Sequence, residues 1–255
     1  MAGDAAMGVR REALLALVAH QWPGANEAIE SGLLDGHASV REVARFFATQ
    51  RASGDRDLAP LYRAALAEAR NTAAIRAALG GLSETGSHDD ATLVAPFLGD
   101  SRSSIRAAAL RTIARIAPAD SPEAFRAALR DPSRRVVRTA ATGLASGAIP
   151  GIDVAQTLVE AFSSSRMTST RLALLPAVSR MPPWVALPHL LHASSRPETR
   201  AIALGHLTRW AHLQVFTHPT PEQRAAIESA WPIASVAGLP DLITREIRAR
   251  LDRDA

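Results

Sequence analysis

Cysteine and lysine are both missing from this chain of 255 residues. Without cysteine, neither a disulfide framework nor a thiolate metal site can form. Aromatic residues make up only 4% of the chain. No apolar run reaches the roughly 18 residues that a membrane-spanning helix needs. Residues 1–7 lack the basic and then apolar pattern of a signal peptide, so we expect a cytoplasmic protein.

All 29 basic residues are arginine, and they are unevenly distributed. Residues 1–100 carry a net charge of −4, residues 101–210 carry +9, and residues 211–255 carry −1. Arginine binds carboxylate and phosphate groups through paired hydrogen bonds better than lysine does. A basic middle segment therefore suggests a binding surface. A GC-rich genome, or arginines used for helix ends and repeat packing, would explain the same composition.

The clearest local pattern lies at residues 99–116, where a turn precedes a helix. Asp100 and Ser101 are residue types that cap the free amides at a helix start. Apolar residues follow at spacings of three or four, on one helical face: Ile105, Ala109 (or Ala108), Ile113 and Ile116. A helix this rich in alanine cannot form a core alone, so it needs neighbours of the same kind.

The same sequence motif recurs along the chain, with one arginine every 29 to 35 residues. These arginines are Arg10, Arg41, Arg76, Arg106, Arg138, Arg171 and Arg200. Five residues separate the arginine from an aspartate in three copies, at Asp4, Asp35 and Asp100, and Asp131 lies one residue further away in a fourth. A second apolar helix lies between successive arginines. A period of about 30 residues with one helix pair per unit is typical of a helical solenoid.

Several local features predict where these helices begin, bend and end. Asn26 and Ser121 are expected to cap the helices that follow them. Gly80-Gly81 is expected to weaken its helix, and residues 83–87 are expected to form a loop. The pair Trp231-Pro232 is expected to interrupt a helix near the end of the chain.

The helices that lie between the arginine-bearing ones are the outer helices of the repeats. Three of them carry proline within a similar sequence motif. These prolines are Pro60, Pro96 and Pro188. Proline inside a helix removes a hydrogen bond and bends the axis. The recurrence predicts a kink in the outer helix of each unit.

The Asp-x5-Arg pairs Asp35/Arg41 and Asp100/Arg106, the apolar residue before each arginine and the alanine about three residues after it resemble the HEAT-repeat family. The likeness is greatest to the short bacterial variety called PBS-lyase-like repeats. The resemblance covers almost all of the chain and implies that Asp and Arg of successive repeats form a ladder. The last two repeats depart from it, since they have serine or alanine in place of the acid.

We therefore predict an all-α fold, a right-handed α-solenoid of about seven HEAT-like helix-pair repeats with an irregular C-terminal cap. The solenoid is expected to be a single body over residues 1–255. Repeats would occupy residues 1–218, and capping helices would occupy residues 219–255.

The function expected from this fold is that of a non-catalytic scaffold or adaptor, without cofactor or metal. It would bind a protein or peptide with an acidic surface through its concave, arginine-rich middle surface. The candidate partner-binding residues are Arg111, Arg115, Arg138, Arg180 and Arg209. We expect no membrane contact, and a monomer when no partner is bound.

Two other functions remain open at this stage. A basic groove with Trp184, Trp210 and Trp231 as a base-stacking platform would suit nucleic acid, as in HEAT-like DNA glycosylases of the alkylation-repair class. The same tryptophans would equally serve as core residues. Some family members are bilin lyase-like chaperones, for which this sequence has no specific marker. His189 and His192 are one helical turn apart and could share a metal or simply be exposed.

Overall fold

The structure of the chain is a computed structural model. It describes residues 6–51, 56–147, 149–215 and 217–252. Every regular element in these ranges is a helix. No helix within them is long and apolar enough to cross a membrane. Residue contacts divide the chain into two compact units, Met1–Ser121 and Pro122–Ala255.

The first unit contains seven α-helices within its described residues. They are α1 (Met7–Ala19), α2 (Ala25–Leu33), α3 (Ala38–Arg51), α4 (Ala59–Glu68), α5 (Thr72–Thr85), α6 (Ala91–Val94) and α7 (Ser103–Ile116). Short 3-10 turns lie at His88–Asp90, Ala95–Gly99 and Pro118–Asp120. The arginine-bearing inner helices α1, α3, α5 and α7 contact one another in succession. The outer helices α2, α4 and α6 each pack on the inner helix that follows them.

The inner helices bury the apolar face that the sequence pattern predicts. In α7 the residues Ile105, Ala109, Ile113 and Ile116 are all at most 8% exposed. The same core continues through α3 and α5 and includes the fully buried ring of Tyr62 from α4. Each helix is too short to be stable alone, so burial against its neighbours supplies most of its stability.

Helix α5 runs through Gly80-Gly81, and both glycines make room for neighbouring side chains. A Cβ at Gly81 would overlap the ring of Tyr62, and a Cβ at Gly80 would lie 2.7 Å from the guanidinium of Arg41. The loop expected at residues 83–87 is confirmed only for residues 86 and 87, since α5 continues to Thr85. Its last turn is held by ion pairs from α3 to Glu84.

Two predicted caps are wrong. The N-cap of α2 is Gly24, in a left-handed conformation, and not Asn26. The N-cap of α7 is Arg102, because Asp100 accepts the Arg102 amide in a turn just before the helix. Ser121 directly precedes α8, as expected, and its hydroxyl donates back to the Pro118 carbonyl at 2.8 Å.

The second unit contains eight α-helices within its described residues. They are α8 (Pro122–Ala128), α9 (Arg134–Ala145), α10 (Val154–Ser164), α11 (Thr168–Val178), α12 (Pro183–Ser194), α13 (Pro197–Ala211), α14 (Pro221–Val236) and α15 (Asp241–Leu251). The inner helices α9, α11, α13 and α15 contact one another in succession. The outer helices α8, α10 and α12 pack on the inner helix that follows them, and α14 packs on α12. Consecutive helix packing, as predicted for a helical solenoid, is thus confirmed.

Of the three prolines expected to kink an outer helix, the structure places two outside a helix interior. Pro60 lies in the first turn of α4, where its missing amide costs nothing. Pro96 lies in the 3-10 turn that follows α6, so the outer helix does end there. Pro188 is the one of the three inside a helix, α12. The expected break at Trp231-Pro232 is wrong, because α14 runs through Pro232 to Val236.

Candidate interaction surface

The inner helices start in a repeated way that explains the Asp-x5-Arg pattern. The side chains of Asp35, Asp100 and Asp131 each accept the amide two residues later, and an inner helix begins one residue after that amide. Such a turn fixes the chain direction at the helix entrance. Ser165 occupies the same place before α11 and accepts the amide of Met167.

The arginine at the fourth position of an inner helix reaches back to this turn. Arg41, Arg106 and Arg200 each donate from Nη1 to the carbonyl six residues earlier, at 2.7 to 2.9 Å. The aspartate side chain is instead used across the stack, because Arg10 of α1 donates to both carboxylate oxygens of Asp35 at 2.7 and 2.9 Å. Arg10 and Asp35 therefore form the ladder step between successive repeats that the resemblance implies. Asp4, the expected partner at the start of the ladder, lies outside the described residues.

Glu84 at the end of α5 holds a second contact between inner helices. The buried Arg41 donates from Nε to Glu84 at 3.0 Å, and Arg45 of the same helix also pairs with Glu84. Arg41 is only 4% exposed. A buried guanidinium needs a counter-charge, and Glu84 supplies it. The sequence pattern did not find Glu84, because it lies 43 residues from Arg41.

Two of the seven aligned arginines are out of register with the others. Arg10, Arg41, Arg106, Arg171 and Arg200 are the fourth residues of their helices, whereas Arg76 and Arg138 are the fifth. The fourth position holds buried Ile75 in α5 and buried Val137 in α9. Arg76 and Arg138 are exposed, and neither side chain donates to the turn before its helix within the described residues.

The two predicted residues of the first unit both lie exposed on α7. Arg111 lines a cavity of about 260 Å³ together with Arg41, Arg76 and Glu84. Arg115 lies in the last turn of α7. Its side chain has no hydrogen bond or ion pair within the described part of the chain. The structure therefore places Arg111 in a basic cleft and Arg115 at a helix end.

The structure brings together two of the three predicted residues of the second unit. Arg180 follows the end of α11, and Arg209 lies in the last turn of α13. Both act on the same imidazole, because burial together with the positive charges of Arg209 and Arg180 lowers the pKa of His206. Arg209 Nη1 lies 3.2 Å from His206 Nδ1. Arg138 belongs to the first half of α9 instead, and all three arginines are exposed.

Of the two alternatives for the tryptophans, core packing is confirmed for Trp184 and Trp210, and the aromatic platform is wrong for them. Trp184 and Trp210 are 5% and 3% exposed, and their rings meet edge to face at 5.6 Å. Their indole nitrogens donate to the carbonyls of Thr217 and Pro183. Buried rings cannot stack on nucleobases. Trp231 is half-buried and lies under the guanidinium of Arg248.

A basic cluster that the sequence pattern missed surrounds His192. Arg196 Nη2 lies 2.9 Å from His192 Nε2, and burial, with the charges of Arg196 and Arg171, lowers the pKa of His192. Burial, and then the charge of His192, lowers the pKa of His189. Among the described residues no group of three His, Asp or Glu side chains is arranged to hold a metal.

Comparison with protein families identifies a match in the middle of the chain. The model of HEAT repeats matches residues 91–178, which include α6 to α11 and about a third of the chain. No curated protein matches the chain. Arg111, Arg115 and Arg138 fall within the matched segment, whereas Arg180 and Arg209 follow it. The resemblance to HEAT repeats drawn from the sequence is confirmed over residues 91–178.

Proposed function

We propose that this protein is a non-catalytic helical-repeat scaffold that binds a protein or peptide partner with an acidic surface. HEAT repeats commonly bind protein partners. In this chain the binding residues would be exposed arginines within or just after the inner helices. Arg138, Arg180 and Arg209 would form the contact in the second unit, and Arg111 and Arg115 in the first. A cytoplasmic location and a monomeric state without partner remain predictions.

The observation that carries this proposal is the excess of exposed arginine charge. Residues 122–210 contain eleven arginines against five acidic residues. The side chains of Arg138 and Arg180 are exposed and have no hydrogen bond or ion pair within the described ranges. An arginine that does not stabilise its own fold remains available for a carboxylate on another molecule.

Charge reversal at the second unit tests the proposal. A fluorescent peptide rich in glutamate and leucine serves as the acidic probe, and anisotropy gives its dissociation constant. We expect the triple variant Arg138→Glu, Arg180→Glu and Arg209→Glu to bind at least about tenfold more weakly, because opposite charges steer and hold the complex. The matched control is Arg245→Glu, which changes an exposed arginine of α15.

Nucleic acid is the competing ligand, and the same assay distinguishes it. A duplex DNA of similar charge is titrated at about 50 and about 200 mM salt, since release of counterions makes DNA binding fall steeply over that range. Tighter binding of DNA than of the peptide, lost in the triple variant, would replace the proposal by a nucleic-acid function. Equal peptide binding by the triple variant and by the control would also contradict it.

A further inference from the structure

Arg171 is the exception among the fourth-position arginines of the inner helices. Arg10 donates to a carboxylate, and Arg41, Arg106 and Arg200 donate to carbonyls. Arg171 is partly exposed, and its side chain has no hydrogen bond and no carboxylate within 4 Å in the described part of the chain. The fold therefore leaves the positive charge of Arg171 without a counter-charge, and this charge remains available to an anion from outside.

The groups around Arg171 add to the positive charge. Burial and the nearby charge of Arg196 lower the pKa of Arg171, and only Glu198 acts in the opposite direction. Glu198 is exposed and too far away for an ion pair. On the adjoining helix α12, His192 Nε2 lies 2.9 Å from Arg196 Nη2, and the charges of Arg196 and Arg171 lower the pKa of His192. His189 lies three residues earlier on the same helix, and the charge of His192 lowers the pKa of His189.

Helix packing holds this cluster in place. Helix α11 contacts both α12 and α13, and Arg196 is the N-cap residue of α13. Arg196 Nη2 lies 2.9 Å from His192 Nε2, and a guanidinium can only donate a hydrogen bond. His192 Nε2 is therefore the acceptor, and the imidazole is neutral in the absence of a ligand. The three side chains are half-buried, which lets a ligand reach them while part of the water is excluded.

We propose that Arg171, His192 and Arg196 form a binding site for a phosphate group. Two guanidinium groups can each direct two N–H donors at the oxygens of one anion. A phosphate group carries about two negative charges near neutral pH, which matches two fixed positive charges better than a carboxylate does. Protonation of His192 would add a third donor once the anion is bound. The site does not depend on the exposed arginines of the proposed function.

The probe is inorganic phosphate, titrated against chloride at constant ionic strength. The ring protons of His192 are followed by nuclear magnetic resonance on the whole chain. We expect a saturable change and a rise in the pKa of His192, because the anion offsets the charges of both arginines. Arg171→Gln and Arg196→Gln should each weaken phosphate binding at least about tenfold, as for any charge-assisted contact. Arg245→Gln should bind phosphate like the wild type.

Thermal unfolding provides a second readout that does not need the resonance assignment. Without phosphate, Arg171→Gln should unfold at the same or a higher temperature than the wild type, since it removes an unpaired charge. With phosphate, only the wild type should gain stability, because the ligand binds its folded state. A loss of stability in Arg171→Gln without phosphate would show that Arg171 has a structural partner, and it would overturn the proposal.

Two further titrations identify the source of the phosphate group. Acetate should bind at least about tenfold more weakly than phosphate, given the charge difference. Equal binding of acetate, or no saturation with phosphate, would overturn the proposal. A phosphoserine peptide that displaces inorganic phosphate, when its unphosphorylated form does not, would support a phosphorylated partner as the source. If only the free anion binds, a small phosphate compound is the source.

Discussion

Tyr62 and Gly81 show how strongly a single contact constrains this fold. The ring of Tyr62 is fully buried, and it occupies the space that a side chain at Gly81 would need. Gly81 lies inside a regular helix and has no left-handed backbone. Its role is therefore to permit close approach of α4 to α5, and not to allow a turn.

We predict that Gly81→Ala destabilises the protein by about 3 kcal/mol, because the added methyl group overpacks a core that cannot move. The control is Gly205→Ala, at an exposed site on α13 where nothing lies within 4 Å of the new Cβ. There alanine should stabilise the helix by about 0.5 kcal/mol through its higher helix propensity. Urea unfolding of the two variants measures the difference, and equal effects would contradict the packing argument.

The histidines of α12 make stability depend on pH. Burial, and then the charge of His192, lowers the pKa of His189 below its ordinary value of 6.5. A base whose pKa is lower in the folded state binds more protons when unfolded. Its neutral form is therefore favoured in the fold above the unfolded pKa, and stability is lost as the pH falls below it.

We predict that the free energy of unfolding decreases between about pH 7.5 and about pH 5.5, because the buried imidazoles must become charged. His189→Gln removes one of these groups and should make that decrease smaller. Chemical unfolding at several pH values measures the slope. An identical slope in the variant and the wild type would show that His189 does not contribute.

At the scale of elements, ion pairs at Glu84 hold α3 to α5. Glu84 accepts from Arg41 and Arg45, and Arg41 is buried. We predict that Glu84→Gln destabilises the protein by about 3 kcal/mol, since it leaves buried positive charge without a counter-charge. Glu42→Gln on the exposed side of α3 is the control, and it should change stability by less than about 0.5 kcal/mol. Thermal unfolding of both variants tests this.

The turn at Asp100 controls the start of α7. Hydrogen bonds from the Arg102 side chain and amide lower the pKa of Asp100 to about 2. We predict that Asp100→Ala costs about 1 kcal/mol at neutral pH, as is typical for loss of a side-chain acceptor at a helix start. Asp100→Asn keeps an acceptor and should lose less.

The carboxylate of Asp100 also gives this turn a pH dependence. Since the folded pKa is lowered, its stabilisation is present above about pH 4 and is lost as the pH falls toward about 2. Acid unfolding of Asp100→Asn should therefore show a weaker dependence on pH in that range than the wild type. A steeper one would mean that the turn is not the relevant interaction.

At the scale of the whole chain, burial differs widely among the inner helices. Leu14 is the one buried residue of α1, whereas α7 has eight buried residues and α5 has six. In repeat proteins each helix depends on its neighbours, so helices with few buried residues open first. We predict that amides of α1 exchange with solvent at least about tenfold faster than those of α5 and α7. Hydrogen exchange followed by mass spectrometry measures this, and equal protection would contradict it.

Local patterns were sufficient for the helical class and for much of the core. The spacing of Ile105, Ala109, Ile113 and Ile116 depends only on the period of a helix, and the structure buries all four. The recurrence of arginine every 29 to 35 residues was sufficient for the helix-pair repeat. Handedness and the number of repeats remain predictions.

Local patterns could not predict contacts between residues that are distant in the sequence. Glu84 pairs with Arg41, 43 residues away, and Tyr62 needs Gly81 to be small. Arg138 is exposed although it follows a buried apolar residue just as the buried Arg41 does, so the pattern did not distinguish the two. Spacing within one helix follows from backbone geometry alone, so the chain reveals it directly. The partner of a buried charge depends on which helices pack together, and so does the position at which only glycine fits. Packing in three dimensions decides both.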